Sequence, residues 1–298
     1  MKILVTGGSG FIGRHLIPEL LREHQITVLT RSPDRAARLL PAGCECVSDL
    51  SEVDMNTIDA VINLAGEPIA DKRWTPQQKQ RICDSRWTLT ARLASMINDC
   101  ETPPGVFLSG SAIGYYGRQG DTLVTEATTD VHDEFTHQVC AKWEAIAEGV
   151  DQSKTRLCLL RTGVVLNAGE GALARMALPF KLGIGGKIGS GEQYLSWIHI
   201  DDMVSAMLYL LSHDSCRGVY NMTAPEPVTN KVFSQALARA LHRPCLFTVP
   251  AFSMKLLMGE AADMVLTGQR VVPARLQEAG FSFRYADADS ALTAIYNS

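Results

Sequence analysis

The sequence lacks any uninterrupted apolar run of the roughly 20 residues that a membrane-spanning helix requires. It also lacks a strong excess of either charge: 28 basic and 32 acidic residues leave a formal net charge of −4. Such a balance produces no whole-protein field that would favour nucleic acid or an anionic membrane as a partner. Internal repeats and low-complexity segments are absent too. We therefore expect neither a membrane protein nor a repeat protein nor a nucleic-acid binder.

The eight cysteines lack the spacing of a metal site, because none forms a C-x-x-C pair and no Cys/His cluster has zinc-ligand spacing. They are Cys44, Cys46, Cys83, Cys100, Cys140, Cys158, Cys216 and Cys245. Reduced thiols and no metal ion are expected. The opening MKILVTGGSG reaches a glycine turn too early for a signal peptide, so a cytoplasmic location is expected.

What is present begins with a complete β-turn-α-β unit. The chain has 298 residues, of which 46% are hydrophobic and 20% charged, as in a globular protein with a large core. KILVT is a β-branched, apolar run typical of a strand buried on both faces of a parallel sheet. GGSGFIG follows, then RHLIPELLREH with apolar residues at helical spacing, then a second strand, ITVLT.

The glycines between the first strand and the helix have distinct physical roles. Gly7 permits the tight turn, Gly10 lets a pyrophosphate approach the backbone, and Gly13 lets the helix pack close to the sheet. The helix start, at Phe11 and Ile12, offers free N–H groups and the positive end of its dipole to phosphates. Because this glycine pattern lies between a strand and a helix, it predicts dinucleotide binding.

The end of the second strand indicates which dinucleotide is bound. An NAD site usually has an acidic residue here for the ribose 2′-hydroxyl, whereas this chain has Thr30, followed by Arg31 and Ser32. An arginine suits the 2′-phosphate of NADP(H), and Arg35 is placed to assist. The alternative is that Arg31 is only a solvated loop residue.

Two further segments are predicted to border the cofactor. AVINLAGEP is a buried strand that ends in Leu64, Ala65 and Gly66, all three predicted to contact the cofactor, and the small Ala65 and Gly66 leave room at the carboxyl edge of the sheet. Asp49 and Leu50, at the end of the stretch CECVSDL, are predicted to flank the adenine.

Taken together and in order, TGGSGFIG, NLAG, FLSGSAIGYYG and SWIHIDDM resemble the extended short-chain dehydrogenase/reductase superfamily of NAD(P)-dependent sugar-nucleotide epimerases and dehydratases. The resemblance covers about residues 1–230. Residues 250–285 look like the small terminal domain of an atypical branch that is named only "epimerase family protein".

This resemblance implies an α/β fold: a Rossmann-like, doubly wound parallel sheet with a smaller C-terminal substrate-binding domain. The expected NADP-binding domain comprises residues 1–165, and residues 195–225 return to it. Residues 166–194 and 226–298 form the expected lid and C-terminal domain.

The resemblance also implies which residues surround the nicotinamide. Ser109, Arg161, Gly163 and Val164 lie on the strand ends expected beside it, and Ser111 matches the serine that polarises the substrate in typical members. The alternative for Ser111 is a polar residue that caps the end of its strand.

The stretch FTHQVCAKWE stands where typical members carry a tyrosine acid/base and a lysine four residues later. One alignment places Gln138 and Lys142 at these two positions. The other, which we favour, places Thr136 and Cys140 there and keeps a glutamate, Glu144, one turn later. Lys142 then lies about 200° around the helix from Cys140 and cannot serve the same site. Either way the usual pair is missing.

The loss leaves Cys140 and Arg86 as candidates for the chemistry. Neither Thr136 nor Gln138 replaces a phenol, whereas a thiol ionises near pH 8.5 and a nearby cation lowers that value. Cys140 is either a proton donor or a small neutral residue beside the ribose. Arg86 stands where typical members place an asparagine; it binds an anionic substrate, lowers the thiol pKa, or is a solvated helix residue.

Two functions remain open. The first is an NADP(H)-dependent oxidoreductase or epimerase acting on an unidentified small polar, phosphorylated or nucleotide-sugar-like molecule. The second is a regulatory or protein-interaction module that holds NADP(H) without turnover. We favour the enzyme on fold analogy and expect a monomer or a homodimer.

Overall fold

The computed structural model describes residues 1–297. Its strands are β1 (Lys2–Thr6), β2 (Gln25–Leu29), β3 (Cys44–Val47), β4 (Ala60–Asn63), β5 (Val106–Ala112), β6 (Leu123–Val124), β7 (Arg156–Thr162), β8 (Val164–Leu166), β9 (Gly186–Ile188), β10 (Tyr194–Leu195), β11 (Trp197–His199), β12 (Gly218–Met222), β13 (Val228–Thr229), β14 (Phe247–Val249) and β15 (Arg270–Val271).

Its helices are α1 (Phe11–Leu20), α2 (Pro33–Leu39), α3 (Pro76–Asp99), α4 (Phe135–Ala147), α5 (Gly171–Lys181), α6 (Ile200–Ser212), α7 (Asn230–Ala240), α8 (Ala251–Met258), α9 (Asp263–Leu266), α10 (Ala274–Glu278) and α11 (Ala288–Asn297). Four short 3₁₀ turns cover Leu50–Glu52, Met55–Thr57, Ile113–Tyr116 and Gly259–Ala262.

Seven parallel strands form the central sheet in the order β12-β7-β5-β4-β1-β2-β3. The order reverses between β1 and β4, because the chain runs outward to β2 and β3 and then returns to the other side of β1. In open α/β sheets a ligand crevice lies at such a reversal, outside the carboxyl ends of the strands. This doubly wound, Rossmann-like sheet confirms the predicted fold class.

Helices cover both faces of the sheet, because successive strand residues point to opposite sides. On one face Ile3 and Val5 of β1 share a buried cluster with α1 and α6. On the other, Leu4 lies in a cluster with residues of α3 and α4 such as Leu93 and Ala147. Burial on both faces explains why the central strands are continuously apolar.

A smaller C-terminal region packs beside this sheet on a core of its own. Phe180 of α5, Phe233 of α7 and Leu292 of α11 share that core with Trp197. The region also reaches the segment that follows β4. Lys79 forms a 2.7 Å ion pair with Glu260, Arg175 forms a 2.7 Å ion pair with Asp71, and Arg73 donates to the main-chain carbonyls of Leu256 and Leu257. The C-terminal region therefore lies near the carboxyl ends of the central strands, where the crevice is.

Candidate functional site

The turn between β1 and α1 has the shape of a phosphate cradle. Gly7 has a φ of +71°, and a Cβ at this position would lie 2.6 Å from the carbonyl carbon of Leu64. A Cβ on Gly13 would lie 2.4 Å from the carbonyl oxygen of Gly8. Gly10 is exposed, and a Cβ there would meet only the carbonyl oxygen of Gly7, at 3.0 Å. The first and third glycines are thus required by the protein, while the middle one keeps the outer side of the turn open.

The N-terminus of α1 is free to bind an anion. Gly10 is its N-cap and supplies no side chain to satisfy the first N–H groups. Phe11 and Ile12, both half-buried, occupy the first turn, where N–H groups have no intrahelical acceptor. A pyrophosphate fits this position by charge and by hydrogen bonding.

Arg31 and Ser32 are exposed just beyond the end of β2. Within residues 1–297, Arg31 forms no ion pair, and no acidic side chain occupies the positions that immediately follow the strand. Ser32 caps α2, and its hydroxyl makes no capping bond to that helix. The structure therefore leaves both side chains available to an outside ligand.

The end of β4 lies against the cradle on one side and against Arg86 on the other. Leu64 and Ala65 are half-buried and Gly66 is exposed. A Cβ on Gly66 would lie 2.9 Å from Cζ of Arg86. Nη1 of Arg86 donates to the main-chain oxygens of Glu67 and Ile82, at 3.0 Å each. Arg86 is therefore a docked part of the crevice wall and differs from a freely solvated helix arginine.

Ser111, at the end of β5, is hydrogen-bonded to the protein interior. Its hydroxyl donates to Oε1 of Glu144 at 2.5 Å. Glu144 in turn accepts from Nε of Arg161 at 2.9 Å and from Nη2 at 2.7 Å. All three residues are buried. Because its proton is directed at Glu144, Ser111 can offer a substrate only its oxygen lone pairs in this arrangement.

One face of α4 turns toward this serine. A Cβ on Gly114, in the turn after β5, would lie 3.0 Å from Cβ of Thr136 and 3.7 Å from Sγ of Cys140. Glu144 continues the same face. Lys142 is on another side of the helix, with Nζ 4.2 Å from the ring centroid of Trp87. The structure thus places Thr136 and Cys140 against the turn that follows Ser111, and Lys142 against Trp87.

Cys140 is a protonated thiol at neutral pH. Its pKa is raised to about 11, first by burial and then by the Glu144 carboxylate. The Arg86 guanidinium, the N–H of Ala112 and the hydroxyl of Ser111 act in the opposite direction. The Arg86 guanidinium does lower the pKa of the thiol, as expected, but the cost of burying a thiolate exceeds that attraction, so the net pKa lies above its ordinary value.

Three residues predicted to contact the cofactor have side chains that face elsewhere. Ser109 is fully buried, and its Oγ has no hydrogen-bond partner within residues 1–297. Leu50 is 1% exposed and packs in the core beside Leu4. Arg161 pairs with Glu144, and its Cζ lies 3.4 Å from the ring centroid of Tyr115. All three side chains are buried in this structure, and the predicted contact of these residues with the cofactor stays a prediction.

Gly163 and Val164 lie where β7 passes into β8. A Cβ on Gly163 would lie 2.7 Å from the main-chain oxygen of Ser196. Val164 is half-buried and pairs with Trp197 of β11. The main chain of Gly163 and Val164 borders the crevice on the side of the C-terminal region.

A chain of buried polar side chains below the crevice was not predicted from the sequence. Thr6 donates to Asn63 at 2.6 Å, and Asn63 donates to Thr90 at 2.9 Å. The indole N–H of Trp143 also donates to Thr90, at 2.8 Å. These bonds tie β1, β4, α3 and α4 together directly beneath the site. The asparagine of the NLAG stretch was the available signal, but its partners are distant in sequence.

Within residues 1–297, no helix combines the length and the apolar character needed to cross a membrane. The same part of the chain contains no group of three or more His, Cys, Asp or Glu side chains that could hold a metal ion.

Comparison with known sequences agrees with this architecture. The profile of the NAD dependent epimerase/dehydratase family matches residues 3–223, and a domain of unknown function, DUF1731, matches residues 249–295. The chain is 41% identical, over 99% of its length, to "Epimerase family protein SDR39U1 homolog, chloroplastic" of Arabidopsis thaliana, of which it covers 86%. It is 37% identical, over 98% of its length, to "Epimerase family protein SA0724" of Staphylococcus aureus strain N315, of which it covers 97%.

Solved structures give the same result. The crystal structure of human epimerase family protein SDR39U1 (isoform 2) with NADPH superimposes with a TM-score of 0.91 at 33% identity, and 100% of this chain matches 99% of that one. UDP-glucuronic acid 4-epimerase from Bacillus cereus, with UDP-glucuronic acid and NAD, has a TM-score of 0.78 at 18% identity, with 100% of this chain matching 98% of that one, and shows the fold alone. The matched residues, the strand order and the glycine cradle together show that this chain belongs to the NAD dependent epimerase/dehydratase family.

Proposed function

We propose that the chain binds NADP(H) and acts as an epimerase-like oxidoreductase on a small polar or nucleotide-sugar-like molecule. The observation that carries the proposal is the cradle of Gly7, Gly10 and Gly13 at the uncapped start of α1, followed at the end of β2 by the exposed Arg31. The cradle would hold the pyrophosphate, and Arg31 with Ser32 would hold the 2′-phosphate. The NADPH of the human SDR39U1 structure supports this choice of cofactor.

NADP(H) would supply the hydride, and the chain would supply position and charge. Cys140 keeps its proton at neutral pH and interacts with the hydroxyl of Ser111, so it is the proposed proton donor. Ser111 accepts a hydrogen bond from a substrate hydroxyl, because its own proton is directed at Glu144. A thiol with a pKa of about 11 is a weak general acid near neutral pH, so slow turnover is expected.

A second candidate, an NADP(H)-holding module without turnover, is favoured by one specific observation. Thr136 occupies the position of the family tyrosine, and its hydroxyl donates to Glu134 at 2.9 Å. No phenol therefore stands beside Ser111 on the α4 face to exchange a proton with a substrate.

Enzyme and module are distinguished by following the absorbance of the reduced nicotinamide. Purified protein would be mixed with NADPH and a panel of carbonyl compounds and nucleotide sugars, in parallel with Cys140→Ala, Ser111→Ala and the control Cys44→Ala. Oxidation that Cys140→Ala slows at least tenfold, and Cys44→Ala leaves unchanged, supports the enzyme. NADPH binding with neither oxidation of NADPH nor an epimerised product across the panel supports the module.

We also propose a division into domains, a cellular location and an oligomeric state. The cofactor domain would comprise residues 1–165 with residues 195–225, and the substrate side residues 166–194 and 226–298. The protein would be a cytoplasmic monomer or homodimer, although the Arabidopsis relative is named chloroplastic. Light scattering and fractionation of cells that express the tagged chain test the last two.

A further inference from the structure

The guanidinium of Arg86 has two donors that the protein does not use. Nη1 bonds to the main chain at Glu67 and Ile82, but within residues 1–297 neither Nη2 nor Nε has a hydrogen-bond partner. Nη2 lies 3.0 Å from the place where a Cβ on Gly66 would stand, and Gly66 is exposed. The free donors therefore face the open crevice in front of β4.

Arg86 also lies between two parts of the site. On one side, Leu64 contacts the cradle at Gly7. On the other, the Trp143 ring lies 5.2 Å from Cζ of Arg86, and a Cβ on Gly110 of β5, next to Ser111, would lie 3.0 Å from that ring. We therefore expect a dinucleotide whose pyrophosphate lies in the cradle and whose reactive end reaches Ser111 to lie near this guanidinium.

The position of Arg86 is held firmly. Thr90, one turn further along α3, accepts bonds from Asn63 and from the Trp143 indole. The Trp143 ring lies under the guanidinium, with its centroid 5.2 Å from Cζ. Such a fixed charge cannot move away from a ligand as a long solvated side chain would.

Among the described residues 1–297 Arg86 forms no ion pair, although the Glu67 carboxylate is near enough to attract its charge. The Glu67 carboxylate contacts Lys72 and Gln78, both at 3.4 Å. Glu144 is engaged by Arg161, and Cys140 is a neutral thiol. A full positive charge therefore remains on the crevice wall, in surroundings where charge interactions exceed those in bulk water.

We infer that Arg86 makes the cofactor site selective for redox state, so that it favours the neutral dihydronicotinamide of NADPH over the cationic ring of NADP⁺. The inference rests on the proposed binding of NADP(H). The two forms share the adenine, pyrophosphate and 2′-phosphate, so Arg31 and the cradle treat them alike. They differ by one positive charge on the ring, which the guanidinium repels.

Isothermal titration calorimetry would measure the dissociation constants of NADPH and NADP⁺ for the wild type, Arg86→Gln, Arg86→Met and Arg86→Lys. Arg81→Gln, an exposed arginine on the same helix, is the matched control. We expect the wild type to bind NADPH at least about tenfold more tightly than NADP⁺. Arg86→Gln and Arg86→Met should reduce that ratio about tenfold, whereas Arg86→Lys should keep most of it and Arg81→Gln should not change it.

Equal affinity of the wild type for both forms, or equal weakening of both by Arg86→Gln and Arg86→Met, would overturn the inference while leaving NADP(H) binding intact. Failure of the wild type to bind either form would instead overturn the proposed function, and the inference with it. Arg86→Met keeps the packing on Trp143, and the wild-type ratio needs no variant, so the inference remains testable if Arg86→Gln fails to fold.

Discussion

The hydroxyl of Ser111 donates a 2.5 Å hydrogen bond to Oε1 of Glu144. The same oxygen also accepts a hydrogen bond from Nε of Arg161. This contact joins the end of β5 to α4 and β7 in the buried interior. It directs the proton of the serine away from the crevice. Glu144 therefore decides both how the site is held together and which hydrogen bonds Ser111 can offer a substrate.

Replacing Glu144 by Gln should lower the free energy of unfolding by about 3–5 kcal/mol, because the buried Arg161 guanidinium would lose its counter-charge. Urea denaturation measures the loss. The double variant Glu144→Gln/Arg161→Met should recover much of it, since no unpaired charge remains. A single variant within about 1 kcal/mol of the wild type would contradict the structural role of this pair.

Gly10 and Gly13 should respond differently to the same added methyl group. Gly13→Ala places a Cβ 2.4 Å from the oxygen of Gly8 and should cost about 1–3 kcal/mol of stability. Gly10→Ala meets only the oxygen of Gly7, at 3.0 Å, and should leave stability within about 1 kcal/mol. The same methyl group projects where a phosphate would approach, so NADPH affinity should fall about tenfold or more. Thermal unfolding measures the stability of each variant, and calorimetric titration measures its affinity for NADPH. The same loss of stability in Gly10→Ala and Gly13→Ala would argue against the cradle.

Arg31→Ala should weaken NADP(H) binding by about 1.5–3 kcal/mol, the usual contribution of a hydrogen bond to a charged group, and leave NAD(H) binding nearly unchanged. The loss should shrink at high salt, because Arg31 is exposed. Arg38→Ala, on the exposed last turn of α2, is the control. Equal losses for both dinucleotides would show that Arg31 does not contact the 2′-phosphate.

The Cys140 thiol should make stability fall at alkaline pH. Its folded pKa of about 11 is above the ordinary value of 9.0, so the folded state holds the proton more tightly than the unfolded state does. The stabilisation is complete below pH 9 and is lost as the pH rises toward 11. About 2–3 kcal/mol should be lost over this range. Burial also raises the pKa of Cys158 to about 11. Cys140→Ala removes the contribution of Cys140 and leaves that of Cys158, so the difference between the two denaturation profiles isolates Cys140.

Local sequence pattern was sufficient for several features of the site. The unit from β1 to β2 is contained in thirty residues, and its glycines act on their immediate neighbours, as at Gly13 and Gly8. Helical periodicity likewise places Cys140 and Glu144 on one face of α4 and Lys142 on another. These features depend on the geometry of one segment, which the sequence carries in full.

Contacts between segments that are distant in sequence could not be predicted from local sequence pattern. Arg161 was predicted beside the nicotinamide, but it forms a buried ion pair with Glu144 of α4. Leu50 was predicted beside the adenine, but its side chain completes the core under α3. In both cases the residue type suited the predicted role, and only packing between separate elements showed which partner it meets.

The sequence by itself determined the first β-turn-α-β unit, the phosphate turn and the absence of a tyrosine and lysine from α4, because each is a matter of residue type at a local spacing; the doubly wound sheet was implied by the family resemblance. Only the tertiary structure decided that Ser111 bonds to Glu144, that Cys140 keeps its proton, and that Arg86 is docked against the crevice wall. The physical reason is that burial and charge partners set proton positions and pKa values, and both come from elements that meet only when the chain folds.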